Sequence, residues 1–272
     1  MIEAILAGLA GLLIGSFLNV CIYRLPRDLS VVSPRSFCPA CDRPIEWFDN
    51  IPVLSFMWLQ GRCRKCKERI PLRYPLVELL TAAAFFSAML ALGPTLPALK
   101  YCVFGAIVIT LVFSDLEERI LPDEFTLGGA LAGIVFAAFV PLNWGIMRLL
   151  LISVKSPRMV SVGESAFAAV FCAGTLWLVG TLYQKIRHRE GLGLGDVKMA
   201  AMIGAFLGLQ AALLTVIVGS LLGALVGLCY IWFTGKDAST YELPFGTFLG
   251  AAALGVAFFG DVFLSWYLRL GA

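Results

Sequence analysis

Six side chains in this 272-residue sequence combine type and spacing that could do chemistry: Asp115, Asp196 and the cysteines Cys38, Cys41, Cys63 and Cys66. Asp115 closes the apolar run FGAIVITLVFSD, and Asp196 opens another, GDVKMAAMIGAF. Each falls where water meets hydrocarbon. An ionised aspartate in mid-span costs roughly 2.5–3.5 kcal/mol on insertion scales, and less at a helix end. Two such carboxylates brought together cannot both ionise freely, so one keeps a proton and the other stays charged. The charged member can take a proton from water. The protonated one can polarise an amide carbonyl and then protonate the leaving nitrogen. That is hydrolysis of the aspartic-protease kind. Taken singly, each aspartate also reads as a helix cap or an interfacial anchor.

The four cysteines form two CxxC pairs, Cys38-Pro-Ala-Cys41 and Cys63-Arg-Lys-Cys66, with 21 residues between them. This separation suits a tetrahedral four-cysteine zinc site, with reduced thiols or redox chemistry as the competing readings. Four thiolates leave no open position for water, so the metal, Zn2+, would hold shape rather than catalyse. The polar segment around them has little material for a core, and a structural metal would supply the missing folding energy, on the order of 10 kcal/mol. The remaining cysteines, Cys21, Cys102, Cys172 and Cys229, stand singly in apolar runs and read as small core fillers.

These groups sit in an oily chain. Hydrophobic residues make up 60% and charged residues 14%, with a mean hydropathy of +0.88. A soluble domain is about 45–50% apolar and about 25% charged, so a globular enzyme is excluded and a polytopic membrane protein is indicated. Apolar segments predict spans over Ile2–Tyr23, Pro75–Leu92, Leu96–Ser114, Phe125–Val140, Ser165–Gln184, Val197–Leu209, Ala211–Phe233 and Phe245–Leu268. The sixth is short, and Val197–Phe233 reads either as one long helix or as a pair broken near Gly208. Leu142–Val154 is too short to span and is expected at the interface. The first span lacks a basic n-region and reads as a retained helix with its N-terminus outside.

Eight crossings sort the basic residues. The Arg24–Arg73 loop carries ten, and Arg119, Lys185, Arg187, Arg189, Lys198 and Lys236 fall on the same side. Only Lys100, Arg148, Lys155, Arg158 and Arg269 fall opposite. The positive-inside rule then places the cysteine loop and both aspartates at the cytoplasmic face. Disulfides are disfavoured there. The expected fold is all-α and polytopic, with about eight transmembrane helices and a small cytoplasmic zinc-binding loop domain.

Context separates the aspartates from other acids. Gly191, Gly193 and Gly195 precede Asp196 and let the backbone approach closely. Pro122-Asp123 reads as a helix start, making Asp123 the capping residue and leaving Asp115 without a structural task. The one histidine, His188, lies in the basic stretch KIRHRE and reads as a solvated helix end. Glu78 lies just inside a span, where an acid is a candidate contact for substrate or structure.

Together these segments resemble the bacterial type IV prepilin peptidases, nearly end to end. The matching stretches are Gly15-Ser16-Phe17-Leu18-Asn19-Val20 with Arg24-Leu25-Pro26, the paired CxxC loop, Arg73-Tyr74-Pro75-Leu76-Val77-Glu78-Leu79-Leu80-Thr81, Asp115 with Ile120-Leu121-Pro122-Asp123, and Gly193-Leu194-Gly195-Asp196-Val197-Lys198. The last is similar to the GxGD motif of intramembrane aspartic proteases. The resemblance implies Asp115 and Asp196 as the catalytic pair and Cys38, Cys41, Cys63 and Cys66 as zinc ligands. It implies residues 1–23 as the first transmembrane helix, 24–74 as the zinc loop and 75–272 as the membrane-embedded peptidase core. Such enzymes act at the cytoplasmic face of the bacterial inner membrane. They cut the basic leader from type IV prepilins and pseudopilins after a glycine, and many then methylate the new N-terminus with S-adenosylmethionine. Glu46, Asp49, Glu117 and Glu118 could attract that leader, or could simply be solvated. The expected partners are these substrates and the lipid bilayer, with no nucleic acid.

One departure is visible. The family often carries Pro-Phe-Gly-Pro near the last span, where this chain has Pro244-Phe245-Gly246-Thr247. The change is expected to loosen that helix start and to leave the carboxylates untouched. No GxGxxG follows a strand, so methyl-donor ligands are not legible. Two other readings remain: a methyltransferase with structural carboxylates, and an ion-coupled transporter with structural zinc. Transport folds often carry internal repeats, and no convincing one is seen.

Overall fold

A computed structural model describes residues 1–142, 156–188, 191–234 and 243–270, with side-chain surroundings through 260. The described residues are mostly helical, with no strand among them beyond two isolated bridges in the cysteine loop. The helices are α1 (Ile2–Arg24), α2 (Leu54–Trp58), α3 (Arg73–Leu92), α4 (Leu96–Glu118), α5 (Asp123–Phe139), α6 (Pro157–Arg187), α7 (Leu194–Leu207), α8 (Leu209–Thr234) and α9 (Phe245–Leu270). Each of the eight apolar segments found in the sequence falls on a helix. Among the described residues five helices (α1, α3, α4, α6 and α8) are long and apolar enough to cross a bilayer. The expected interfacial piece Leu142–Val154 lies almost wholly outside the described residues, as do Arg148, Lys155, Arg189 and Lys236.

By its contacts the chain divides into two units, Met1–Ser114 and Asp115–Ala272. In the first, α1 runs along α3 at small-residue contacts. A methyl carbon added to Gly11 would stand 2.7 Å from the Cα of Ala82, and one on Gly15 would stand 2.7 Å from the Cα of Glu78. Close backbone approach is how helices associate where hydrocarbon offers no hydrophobic drive. Asn19, 2% exposed, donates across this seam to the Tyr74 carbonyl at 3.0 Å.

In the second unit α7 is enclosed by α5 and α6. Its apolar side, Met199, Met202, Ile203 and Phe206, is fully buried. Gly204 lets α7 touch α6, since a Cβ there would meet the Ala168 carbonyl oxygen at 2.6 Å. Ser165 on α6 donates to the Ala205 carbonyl at 2.7 Å. The helix stops at Gly208, where φ is +80°, a value that suits glycine. The next residue starts α8, so Val197–Phe233 is a broken pair rather than one helix. Glu164, 2% exposed, accepts the Leu209 N–H at the break. One boundary differs clearly from expectation: α6 begins at Pro157, well before Ser165, because Ser156 and Pro157 form a helix start. Among the lone cysteines Cys21, Cys102 and Cys172 are buried, whereas Cys229 is exposed on α8 and fills no core.

Gly204→Ala is expected to destabilise the protein by about 1–3 kcal/mol, read as a lower unfolding temperature in detergent. An unchanged midpoint would mean that α6 and α7 are not in this contact.

Candidate active site and metal centre

The last turn of α4 carries Asp115, 5% exposed, and the first turn of α7 carries Asp196. Both carboxylates converge on the start of α9. A Cβ placed on Gly246 would lie 3.1 Å from Oδ2 of Asp115 and 3.1 Å from Oδ1 of Asp196. The two oxygens are therefore no further apart than twice that distance. The absence of a side chain at Gly246 is what makes room for them.

The donors come from the same turn. The first backbone N–H groups of a helix have no partner within it. Thr247 donates its N–H to Asp115 Oδ2 at 2.6 Å and its hydroxyl to the same oxygen at 2.8 Å. The neighbouring Gly246 backbone hydrogen-bonds to the Asp196 carboxylate, as does Gly193 at the start of α7. Successive residues of one helix start thus serve one carboxylate each. Leu121, 9% exposed, lines the apolar side of this cluster; its side chain would meet a Cβ on Gly195 at 3.1 Å and one on Gly246 at 3.1 Å.

Sequence reasoning placed both aspartates and missed the residues that hold them. The expectation that Thr247 leaves the carboxylates untouched is wrong. A threonine supplies two donors that a proline lacks, and both land on Asp115. Asp123 sits in the first turn of α5, as expected, while the N-cap position is Pro122. It also pairs with Lys198 of α7, at 2.7 and 2.9 Å. The pair is solvent-exposed and contributes little stability, yet it ties the starts of α5 and α7 together beside Asp196. His188 caps the end of α6 in the left-handed region, exposed as expected.

The four loop cysteines gather. Their sulfurs all lie within 4.8 Å of one another, and Cys38 Sγ stands 3.8 Å from Cys66 Sγ. A tetrahedron with metal–sulfur bonds of ~2.3 Å has edges of about 3.8 Å, so the donor set fits a tetrahedral metal ion. The backbone groups of Cys66 and Lys65 pull the Cys63 thiol down to about 7. Burial pushes Cys38 up to about 12 without a metal.

The module is a duplication that the sequence does not announce. Cys38 N–H donates to the Arg43 carbonyl, and Cys63 N–H donates to the Glu68 carbonyl. Ile45 N–H reaches Ser36, and Ile70 N–H reaches Gly61. Asp42 and Lys67, each just after the second cysteine of its pair, both have positive φ, at 53° and 63°. The two halves share only their cysteines and a following isoleucine, so the repeat lies in the backbone. Arg64 grips Asp49 through two bonds of 2.8 and 2.6 Å, which holds the Asp49 carboxyl below its ordinary range and commits it within the loop.

The module is anchored to its own helices. Arg24 at the end of α1, 5% exposed, donates to the carbonyls of Ser30 at 2.9 Å and Pro34 at 2.7 Å. Glu78 on α3 accepts the Val53 N–H at 2.7 Å. Val53 has φ +60° and sits in a tight turn closed by Leu54 N–H on the Pro52 carbonyl, a strained geometry for a β-branched residue. The carboxylate of Glu78 helps hold it.

Fold and site together define a polytopic helical membrane protein with a clustered carboxylate pair and a four-cysteine module. Residues 9–92 match the bacterial peptidase A24 N-terminal domain, and residues 102–228 match the type IV leader peptidase family. The chain is 34% identical to the prepilin leader peptidase/N-methyltransferase of Aeromonas hydrophila over 284 residues, covering 96% of this chain and 92% of that one. It is 33% identical to the protein of the same name from Legionella pneumophila, over 97% and 94% of the two chains. A Myxococcus xanthus protein of that name is 40% identical over 85% of this chain and 64% of its own length. No solved structure matches. The chain belongs to the type IV leader peptidase family.

The full-length protein should carry one equivalent of tightly held metal. Cys63→Ser, or a strong chelator, should make residues 30–70 sensitive to limited proteolysis while helical circular dichroism persists. A metal-free protein with a protease-resistant loop would refute the assignment.

Proposed function

We propose that this chain is a membrane aspartic endopeptidase that removes the leader from type IV prepilins and pseudopilins, with Asp115 and Asp196 as its hydrolytic pair, and then methylates the new N-terminus. The observation that carries the reading is the convergence of the two carboxylates at Gly246. Carboxylates this close share a proton. The ionised one takes a proton from water as its oxygen adds to the scissile carbonyl carbon. The protonated one hydrogen-bonds the carbonyl oxygen and then gives its proton to the departing nitrogen. Thr247 fixes the Asp115 carboxylate by filling Oδ2 with two donors.

The distribution of Lys and Arg supports an inner-membrane protein with this pair and the cysteine module at the cytoplasmic face. A prepilin with a basic leader and an apolar helix would present its junction at that depth. Zinc would be held by Cys38, Cys41, Cys63 and Cys66, and would stabilise the loop without touching the substrate. S-adenosylmethionine, when bound, would supply a methyl group that a neutral amine attacks at carbon, with the carbon–sulfur bond breaking to release a thioether and the nitrogen then giving up a proton.

Asp115→Asn and Asp196→Asn should each lower leader cleavage by at least about 100-fold in protein that still folds, read by the mass of a prepilin peptide. Normal processing by either variant removes that residue from the pair. Thr247→Val keeps the backbone donor and loses the hydroxyl, a bond to a charged acceptor worth roughly 1.5–3 kcal/mol. Its kcat should fall at least about tenfold with KM little changed, and Thr247→Ser should restore it. Equal loss in both variants would assign Thr247 a packing role.

A further inference from the structure

The cysteine loop is charged at both ends and bare in the middle. From Trp47 to Gln60 its only ionisable side chain is Asp49, and Arg64 holds that carboxylate in two bonds. The rest of the stretch is rich in large apolar residues that the fold leaves uncovered. Trp47 is 71% and Trp58 83% exposed, and Leu54 and Met57 are exposed between them. An apolar stretch of this length is too short to span a bilayer and suits an interfacial or re-entrant segment.

Two contacts within the Met1–Ser114 unit set its depth. On one side Val53 donates its N–H to Glu78 at 2.7 Å. Glu78 is five residues inside α3, about 7.5 Å along the axis, with a side chain that leans back towards the helix start. Val53 is therefore held level with the first turns of that span. On the other side a groove of about 420 Å³ is lined by Leu13, Phe17 and Val20 of α1 and by Trp47 and Pro52 of the loop. Those α1 residues lie about one to three turns before Arg24, where the helix ends. Leu13 and Phe17 are exposed, as lipid-facing residues of a span are. The loop's apolar surface thus adjoins the lipid-facing surface of α1.

We propose that residues Trp47–Trp58 are inserted in the lipid leaflet beside α1 and α3, with phospholipid acyl chains covering this face and filling the groove. The inference goes beyond the peptidase reading and does not depend on it. The stretch is prepared to leave water, because its backbone is bonded to itself. Ser55 N–H donates to the Ile51 carbonyl, Met57 N–H to the Val53 carbonyl, and the Ser55 hydroxyl to the Phe48 carbonyl. Tryptophan favours the boundary where its ring meets hydrocarbon and its N–H meets water. The chain that follows is basic, with Arg62, Lys65, Lys67 and Arg69 exposed, and complements the phosphates of the headgroups. Cys41 and Cys63 flank the stretch, and their sulfurs lie within 4.8 Å of each other, so the module gathers both ends of the inserted segment at one point.

The test replaces Leu54 or Trp58 by the photo-crosslinker p-benzoylphenylalanine, with Glu68 replaced as a control, in full-length protein in phospholipid vesicles. Adducts are read by mass, and metal content and circular dichroism are measured on the same preparations. The two loop positions should give at least about fivefold more lipid adduct than the control. Equal yields at all three positions overturn the proposal, as do adducts from the two loop positions to protein rather than lipid, which would make this face a protein interface. A second measurement needs no bulky residue. A protein whose only tryptophans are Trp47 and Trp58, the others changed to phenylalanine, should lose at least about half its fluorescence to lipid brominated on the acyl chain, and less to a quencher confined to water. The reverse order places the segment in water and overturns the proposal.

Discussion

Two buried or half-buried carboxylates and the start of α9 solve each other's problem. A carboxylate taken out of water needs donors, and a helix start has N–H groups that need acceptors. Gly246 and Thr247 offer consecutive N–H groups, and Asp196 and Asp115 take one each. The helix dipole adds to the attraction, because the positive end of α9 faces two acids. The remaining features of this unit serve the arrangement. Gly246 has no side chain to intrude, Gly195 lets α7 settle against Leu121, and the Lys198–Asp123 pair holds the starts of α5 and α7 together. The break at Gly208 keeps α7 to 14 residues, so Asp196 on its first turn is placed by a short helix packed against α5 and α6.

The other unit is held by different physics. Along α1 and α3 the backbones touch at glycines, as suits an environment where apolar side chains gain nothing by leaving lipid. The cysteine loop has almost no core. Cys38 is its least exposed cysteine, and Trp47, Phe48, Met57 and Trp58 are exposed. Its order comes from a duplicated backbone turn around four sulfurs and from two charged anchors, Arg24 and Glu78. Arg24 works through backbone carbonyls, so its role depends on the local path of the chain rather than on particular loop side chains.

Much of this was legible beforehand, and the pattern of misses is informative. Among the described residues hydropathy located the long helices, since apolar runs of this length have few alternatives. The aspartates stood out because an acid at a span end needs a reason, and the cysteines because their spacing has few uses. Thr247 was invisible for the opposite reason. A threonine near a helix start is ordinary, and its meaning lies in a residue 132 positions away. Judging it against the expected proline drew attention to the helix and away from the donors. Asp123 was assigned to its own helix because sequence reveals only local partners, while Lys198 lies 75 positions on. The loop duplication escaped because Asp42 and Lys67 share a backbone conformation and no chemistry. Cys229 shows that in a membrane protein an apolar run does not tell the inward side from the lipid side.

The proposed division of chemistry follows from what each reaction asks of water and of charge. Hydrolysis needs a water molecule among the carboxylates and an acid to protonate the departing nitrogen. Methyl transfer needs that same nitrogen, now an N-terminal amine, without its extra proton, and a cationic donor held away from competing nucleophiles. The proton given to the departing nitrogen leaves a neutral amine, which can attack the donor only until it takes up a further proton from solvent. On this reading the metal and the aspartates have no direct chemical dealings. On the proposed reading the metal would order the cysteine loop, the aspartates would split the bond, and the substrate's new terminus is the group the two reactions share.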